Sequence, residues 1–368
     1  MMKKKTIENL TILMFLSLIG ILSVWNILQK DRTFSENENR YLAQAPSLDF
    51  NHIFSGNFDD DFETWFTDQF VGRDTWISTK AFFKKITGSI ENNDVYYGKN
   101  DYLIRRFQSY PERTFTQNIG VLQAFTEETG IKMNILLVPT ICNANPSLLP
   151  KGSWNIDQEN LIKRVMNELP EHNHILVGDS LRKQQDVYFK TDHHWNEKGA
   201  YIAYEEIAKN VLKKEPNPFK YELASASFYG TMYSRSGAFW SKPDSIYTIL
   251  PEKEYPLTIT YEKELQANSI YVPERLEEKD KYTYYLDGNH PYIHISCLNN
   301  TGKHAVVIKD SYAHILMPYL ISEYEEIDMV DLRYYHNSVS ELINDDTDVY
   351  LIYSIDNFTQ DPNVIFLE

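Results

Sequence analysis

From about residue 98 onward, short apolar runs of strand length alternate with amphipathic helical patterns, and this rhythm limits the chain to few architectures. Runs at 132–138 and 175–177 read as buried strands, with a helical pattern at 157–169 between them. A helix is predicted at 197–212, then a strand at 305–309, a helix at 312–321 and strands at 327–332 and 348–353. Strands that alternate with helices imply an α/β fold, a parallel sheet with helices on both faces. Between residues 216 and 294 the rhythm stops. Tyr-, Ser- and Pro-rich text takes over, with short alternating runs at 257–261 and 282–286, and predicts an inserted cap that is β-rich or irregular.

The N-terminus carries a second constraint. Lys3, Lys4 and Lys5 precede an apolar stretch at 10–28, close to the ~20 residues a helix needs to cross a bilayer. The lysines lie before the span and the flank after it is mixed, so the positive-inside rule leaves the N-terminus cytoplasmic and the rest extracytoplasmic. A cleaved signal peptide is the rival reading; its nearest small-x-small site, Ala43-Gln44-Ala45, lies well past the apolar core. The expected organisation is a cytoplasmic tip and transmembrane anchor at 1–30, a polar extended stalk at 31–53, and a catalytic domain at 54–368 with its cap at about 216–294. Within that domain, aromatic residues at helical spacing from 54 to 90 predict two amphipathic helices around a Gly72-Arg73-Asp74 break.

Composition narrows the function classes. There are 52 acidic side chains against 36 basic ones, and a formal charge of −16 repels phosphate backbones, so nucleic acid is not expected as a partner. A 42% hydrophobic content with 26 tyrosines excludes a disordered or collagen-like chain. Two cysteines, Cys142 and Cys297, are too few for a disulfide framework or a Cys-based zinc site, although one bridge between them remains open in an oxidising compartment.

Reactive side chains concentrate in three places: Thr191-Asp192-His193-His194-Trp195-Asn196, Lys309-Asp310-Ser311-Tyr312, and Gly178-Asp179-Ser180-Leu181. Ser311 follows an apolar strand where a helix begins, the kind of turn that lifts a hydroxyl above the carboxyl edge of a sheet. Its proton needs a base held by a third group. Asp192 and His194 supply both if the loop is extended, since residues i and i+2 then point the same way and His193 faces elsewhere. Ser180 is the alternative nucleophile in a GDSL-like string. A metal site built from His172, His174, His193 and His194 is a further alternative, and Asn196 is placed to cap the following helix.

These residues carry a resemblance. Asp192-His193-His194-Trp195 followed by Gly199-Ala200, with the Lys309-Asp310-Ser311-Tyr312 turn, resembles the DHHW family, which is similar to the alginate O-acetylation proteins AlgJ and AlgX. Phe34-Ser35-Glu36-Asn37-Glu38-Asn39-Arg40, Asp68-Gln69-Phe70 and Tyr97-Gly98-Lys99 extend it over the chain from about residue 34. The resemblance implies an SGNH-hydrolase-like, flavodoxin-like fold. It also implies an acyl-enzyme on Ser311 with His194 as general base and Asp192 orienting it, without a cofactor or metal. Asp331-Leu332-Arg333 resembles a further family motif, which implies that Arg333 binds substrate or positions active-site groups; a surface salt bridge is the alternative. Tyr229 and Arg235 fall in family-like strings of the cap and, with Tyr312 and His193, complete the candidate substrate contacts. His193 stands where the alginate proteins usually have Thr, and no carbohydrate-binding domain is expected after Glu368, so alginate itself is not implied.

The resemblance therefore points to a polysaccharide O-acetyltransferase outside the cytoplasm, supplied with acetyl by a membrane-bound O-acyltransferase. A glycan esterase with the same triad, or a catalytically idle glycan-binding protein, are the other expectations. The charge adds that a polyanionic glycan would need a local basic groove, around Arg235 and Arg333.

Overall fold

The computed structural model describes residues 4–367 except 36, 39, 48, 50–55, 57, 263 and 264, so Lys3 and the expected stalk boundary at 53/54 lie outside the described residues. The chain divides into two compact units, Met1–Thr87 with Gly237–Trp240, and Gly88–Ser236 with Ser241–Glu368.

Among the described residues, the first unit holds three helices. Helix α1 (Lys4–Leu28) contains a stretch, Thr6–Asn26, long and apolar enough to cross a membrane. Helices α2 (Phe58–Asp68) and α3 (Arg73–Ile86) flank a turn in which Gly72 takes φ 67°, a left-handed conformation that suits glycine. Within the expected stalk, some described residues pair with other parts of the chain. Phe34–Ser35 pairs with Arg40–Tyr41, and the guanidinium of Arg40 grips the buried carboxylate of Asp68 at 2.5 and 2.8 Å. Arg40 thus finds its partner within the chain. Gln69 likewise accepts from the Arg32 amide at 2.9 Å and donates to the Arg32 carbonyl at 2.8 Å.

The second unit is built on an eight-stranded mixed sheet. In chain order its strands are β1 (Asn134–Val138), β2 (Asn173–His174), β3 (Leu257–Tyr261), β4 (Leu265–Ala267), β5 (Tyr292–Cys297), β6 (His304–Lys309), β7 (Glu326–Val330) and β8 (Thr347–Ser354), and across the sheet they run β4-β3-β5-β7-β6-β8-β1-β2. The five strands from β7 to β2 are parallel, as the alternation predicted. Strands β3, β4 and β5 extend that sheet antiparallel, with His294 opposite Asp328. Part of the expected cap therefore belongs to the central sheet, while the bulged ribbon Phe219–Phe228 with Asp244–Pro251 and the helical segments Thr231–Ser236 and Pro273–Glu277 stand apart from it.

Strand periodicity sorts the core into two layers. Val306 and Ile308 bury on one face with Leu122 of α4 (Glu112–Thr129) and Val165 of α5 (Gln158–Glu168). Ala305 and Val307 bury on the other with Ala203 of α6 (Glu197–Ile207). Each fully buried large apolar side chain contributes roughly 1.5–3 kcal/mol. Two expectations shift. The run at 282–286 begins in a helical turn, Lys281–Tyr284, in which Tyr282 and Tyr284 bury, and Tyr285 after it is buried too. The helix at 312–321 breaks into Ser311–Leu316 and Met317–Leu320, where Pro318 lacks the N–H that a continuous ladder requires.

Candidate active site

The loop that carries Asp192 and His194 is the tip of a tight hairpin. Tyr188 bridges Trp195, the Phe189 amide donates to the His194 carbonyl at 3.2 Å, and the Asn196 amide donates to the Val187 carbonyl at 3.1 Å. Asn196 then caps α6 by accepting from Lys198 and Gly199. Asp244 fixes the entry to the tip: its carboxylate accepts from the amides of Lys190 and Thr191 at 2.9 and 2.7 Å and from the Thr191 hydroxyl at 2.6 Å.

Ser311 comes from the other side of the sequence, at the carboxyl end of β6. Asp310 anchors that turn. One of its oxygens accepts from the Tyr312 amide at 2.9 Å, and the other accepts from the amide of Ser354, the last residue of β8, at 2.9 Å and from the Asn357 side chain at 3.1 Å.

The two turns meet. His194 Nε2 lies 2.7 Å from Ser311 Oγ, and His194 Nδ1 lies 2.6 Å from Asp192 Oδ1. Burial alone would raise the Asp192 carboxyl. Its imidazole neighbours His193 and His194, with hydrogen bonds from His194 and the Thr231 amide, outweigh burial and hold it well below the usual carboxylate range. Thr231 also fixes the carboxylate in place: its amide and hydroxyl donate to Asp192 Oδ2 at 2.7 and 2.9 Å. Gly230 packs so close that a Cβ there would stand 2.3 Å from the Asp192 Cβ.

An aromatic lid holds the imidazole. The Tyr282 ring stacks on His194 at 4.0 Å with the planes 8° apart, and its hydroxyl donates to the Ser311 carbonyl at 2.9 Å. On its far side Tyr282 stacks on His314 at 6.0 Å. Lys309, the last residue of β6, is fully buried and donates to His314 Nε2 at 2.9 Å and to Asp331 at 3.3 Å. Burial pushes the Lys309 ammonium down, against the pull of Asp331.

The remaining candidates lie in varied settings. His193 does not face elsewhere: the tip is bent instead of extended, and the His193 ring lies 3.9 Å from that of His194 with Nδ1 2.7 Å from the Thr231 hydroxyl. Burial and the adjacent His194 lower its pKa. Tyr312 is fully buried beneath the tip, its hydroxyl donating to the His193 carbonyl and its carbonyl accepting from Trp195, which leaves no surface for a substrate. Arg333 is a bidentate partner of the buried Asp331, at 2.8 and 2.6 Å. Arg235 pairs with Asp94 at 2.7 Å, and Tyr229 packs on Tyr233 with Lys279 above the ring.

The alternatives part company with this geometry. Ser180 donates to Glu206 at 2.9 Å. His172 accepts from the Met133 amide and His174 contacts the Leu169 carbonyl, so neither joins His193 and His194. The ligand atoms of Asp192, His193 and His194 do lie within 4.8 Å of one another, yet each is already bonded within the Ser311–His194–Asp192–Thr231 network. Cys142 and Cys297 are separate buried thiols.

Asp192, His194 and Ser311 were readable as motifs. Thr231, Gly230, Tyr282 and Asp244 carried no such signal, although Gly230 and Thr231 directly follow the candidate Tyr229.

Comparison with known proteins gives two family matches. Residues 174–330 match the DHHW protein family, and residues 95–238 match a family described as SGNH hydrolase-like domain, acetyltransferase AlgX. The fold is that of a DHHW family protein from Eubacterium siraeum DSM 15702, 22% identical, with a TM-score of 0.64 over 75% of this chain and 96% of that one. PatB1 of Bacillus cereus, solved with a sulfonyl adduct, is 21% identical and gives a TM-score of 0.58 over 73% of this chain and 99% of that one. No curated protein matches the chain significantly.

Proposed function

We propose that this chain, with its DHHW and AlgX-type family matches, is a membrane-anchored O-acetyltransferase that modifies a polysaccharide outside the cytoplasm. The observation that carries the reading is the continuous hydrogen-bond chain Ser311–His194–Asp192, with its 2.7 and 2.6 Å links, at the carboxyl edge of a parallel sheet. The AlgX-type match supports acetyl as the group transferred.

In the first half-reaction, Ser311 Oγ attacks the acetyl carbonyl while His194 Nε2 takes the hydroxyl proton. The bond to the donor's leaving oxygen breaks, and that oxygen receives the proton from His194. In the second half, a sugar hydroxyl gives its proton to His194 and attacks the acyl carbonyl, and Ser311 leaves with that proton. Asp192, kept anionic by the imidazoles of His193 and His194 and by the Thr231 amide, stabilises the imidazolium in both halves. Helix α1 supports an anchor, which would hold the enzyme where a membrane-bound O-acyltransferase can hand over acetyl. Arg333 and Tyr229 are proposed acceptor contacts. The pairing of Arg235 with Asp94 argues against a free basic groove there.

Ser311→Ala is expected to lower acetyl transfer by on the order of 10⁴-fold or more while the melting temperature stays unchanged. Undiminished transfer in that variant overturns the mechanism. Release of acetate from a chromogenic ester, measured with and without an oligosaccharide acceptor, separates transferase from esterase. Acceptor-dependent loss of free acetate is the expected result.

A further inference from the structure

We propose that the outward stripe of helix α3 is a lipid-contacting surface that lies in the outer interface of the membrane spanned by α1; this rests on the reading of α1 as a span. Helix α3 is amphipathic in an inverted sense. Trp76, Phe83 and Ile86, at i, i+7 and i+10, share one face and are 54%, 57% and 59% exposed, while Ala81 on the opposite face is completely buried. Three large apolar side chains aligned on one exposed stripe require an occupant.

The hydrogen bonds at the end of α1 say which occupant is within reach. Asn26, the last residue of the apolar stretch, is buried, and its side-chain oxygen accepts from the Val71 amide at 2.9 Å. The Val71 carbonyl in turn accepts from the Trp76 indole at 3.2 Å. Two hydrogen bonds therefore tie the first residue of the stripe to the end of the span. Trp65 donates to Asp31 at 2.8 Å, and Gln29 donates to the Gln69 carbonyl, so the α2–α3 turn is clamped to that end at several points. A surface fixed there sits at the depth where a bilayer gives way to water. Indole rings favour that depth, and Trp25, 58% exposed on α1, occupies it as well. Lys80 is exposed beside the stripe and Lys84 lies in the last turn, both suited to anionic headgroups.

The full-length protein in vesicles of equal phosphatidylglycerol and phosphatidylethanolamine tests this. A nitroxide is placed in turn on Phe83→Cys, on Asp60→Cys at the exposed, acidic start of α2, and on Ile19→Cys within α1; the native cysteines are buried. Collision rates are read with lipid-soluble oxygen and with a water-soluble nickel chelate. The expected result is that oxygen outcompetes nickel at 83 and at 19, with the order reversed at 60. Nickel-dominated collisions at 83 overturn the proposal: if 19 remains oxygen-dominated the span stands without the surface, and if 19 is also water-exposed the span reading falls with it. Low access to both reagents at 83 overturns it too, since a second copy or another protein then covers the stripe.

Discussion

At the scale of single residues, Asp192 is held by what surrounds it as much as by its own chemistry. Gly230 has no positive φ, so its role is space: an added Cβ would stand 2.4 Å from the Asp192 carboxylate as well as against its Cβ. Gly230→Ala is expected to cost about 1–3 kcal/mol of stability through overpacking. It should also depress activity more than a loss of that size explains, because Asp192 must turn away from His194; melting and turnover measured together check this. Asp192→Asn tests the charge itself and should lower turnover ~10⁴-fold with the fold intact. Tyr282→Phe keeps the stack on His194 but removes the bond to the Ser311 carbonyl, an expected loss of about 1 kcal/mol that thermal melts would read. The triad could be read in the sequence because its members form short strings that combine reactive types. Gly230, Thr231 and Tyr282 could not, because what makes them matter is a neighbour 39 residues away in the case of Thr231 and Asp192, a distance only the fold closes.

At the scale of elements, β6 is a strand whose apolar run ends on a buried cation. Lys309 pairs with Asp331, itself held by Arg333, and all three stand at the carboxyl ends of β6 and β7. Lys309→Met removes one partner of a buried pair and should destabilise by about 3 kcal/mol, the low end for such changes because Arg333 remains on Asp331. Sequence reading treated Lys309 only as the letter before Asp310, since lysine is normally exposed. Across the neighbouring strands, Asp328 of β7 accepts from His294 of β5 at 2.8 Å and from His304 of β6 at 2.7 Å. The bond to Asp328 raises the His294 pKa. A raised imidazole contributes its stability in full below the unfolded value of about 6.5 and loses it as pH climbs through the folded value. Melting temperature should therefore decline over that interval in the native protein, and less so in His294→Gln. The alternation at 257–261 gave β3 as a strand, but its place in the sheet depends on pairing with β5, more than thirty residues on, and no local pattern encodes that.

At the scale of the whole molecule, the chain returns to its first unit late, through Gly237–Trp240. Gly237 takes φ 68° and lies against Ile77 of α3, and a Cβ at Gly237 would meet that side chain at 2.8 Å. A chain shortened to begin at residue 88 loses the cover this segment has from α3, so it should bind more of a dye for exposed apolar surface than one beginning at residue 31. The rhythm of the sequence anticipated the parallel strands and the helices on both faces. It did not anticipate two units, because the segment that rejoins the first lies in the middle of text that looked like a single cap. The ends of the sheet bear on how copies of this chain meet. Its outermost strands are stubs, β4 of three residues and β2 of two, so each edge ends almost as soon as it begins. An unpaired strand edge is a template on which a neighbouring copy can polymerise. If the proposed anchor holds the chain in a membrane, its copies would meet one another far more often than free molecules do, and edges this short offer such encounters little to grow from.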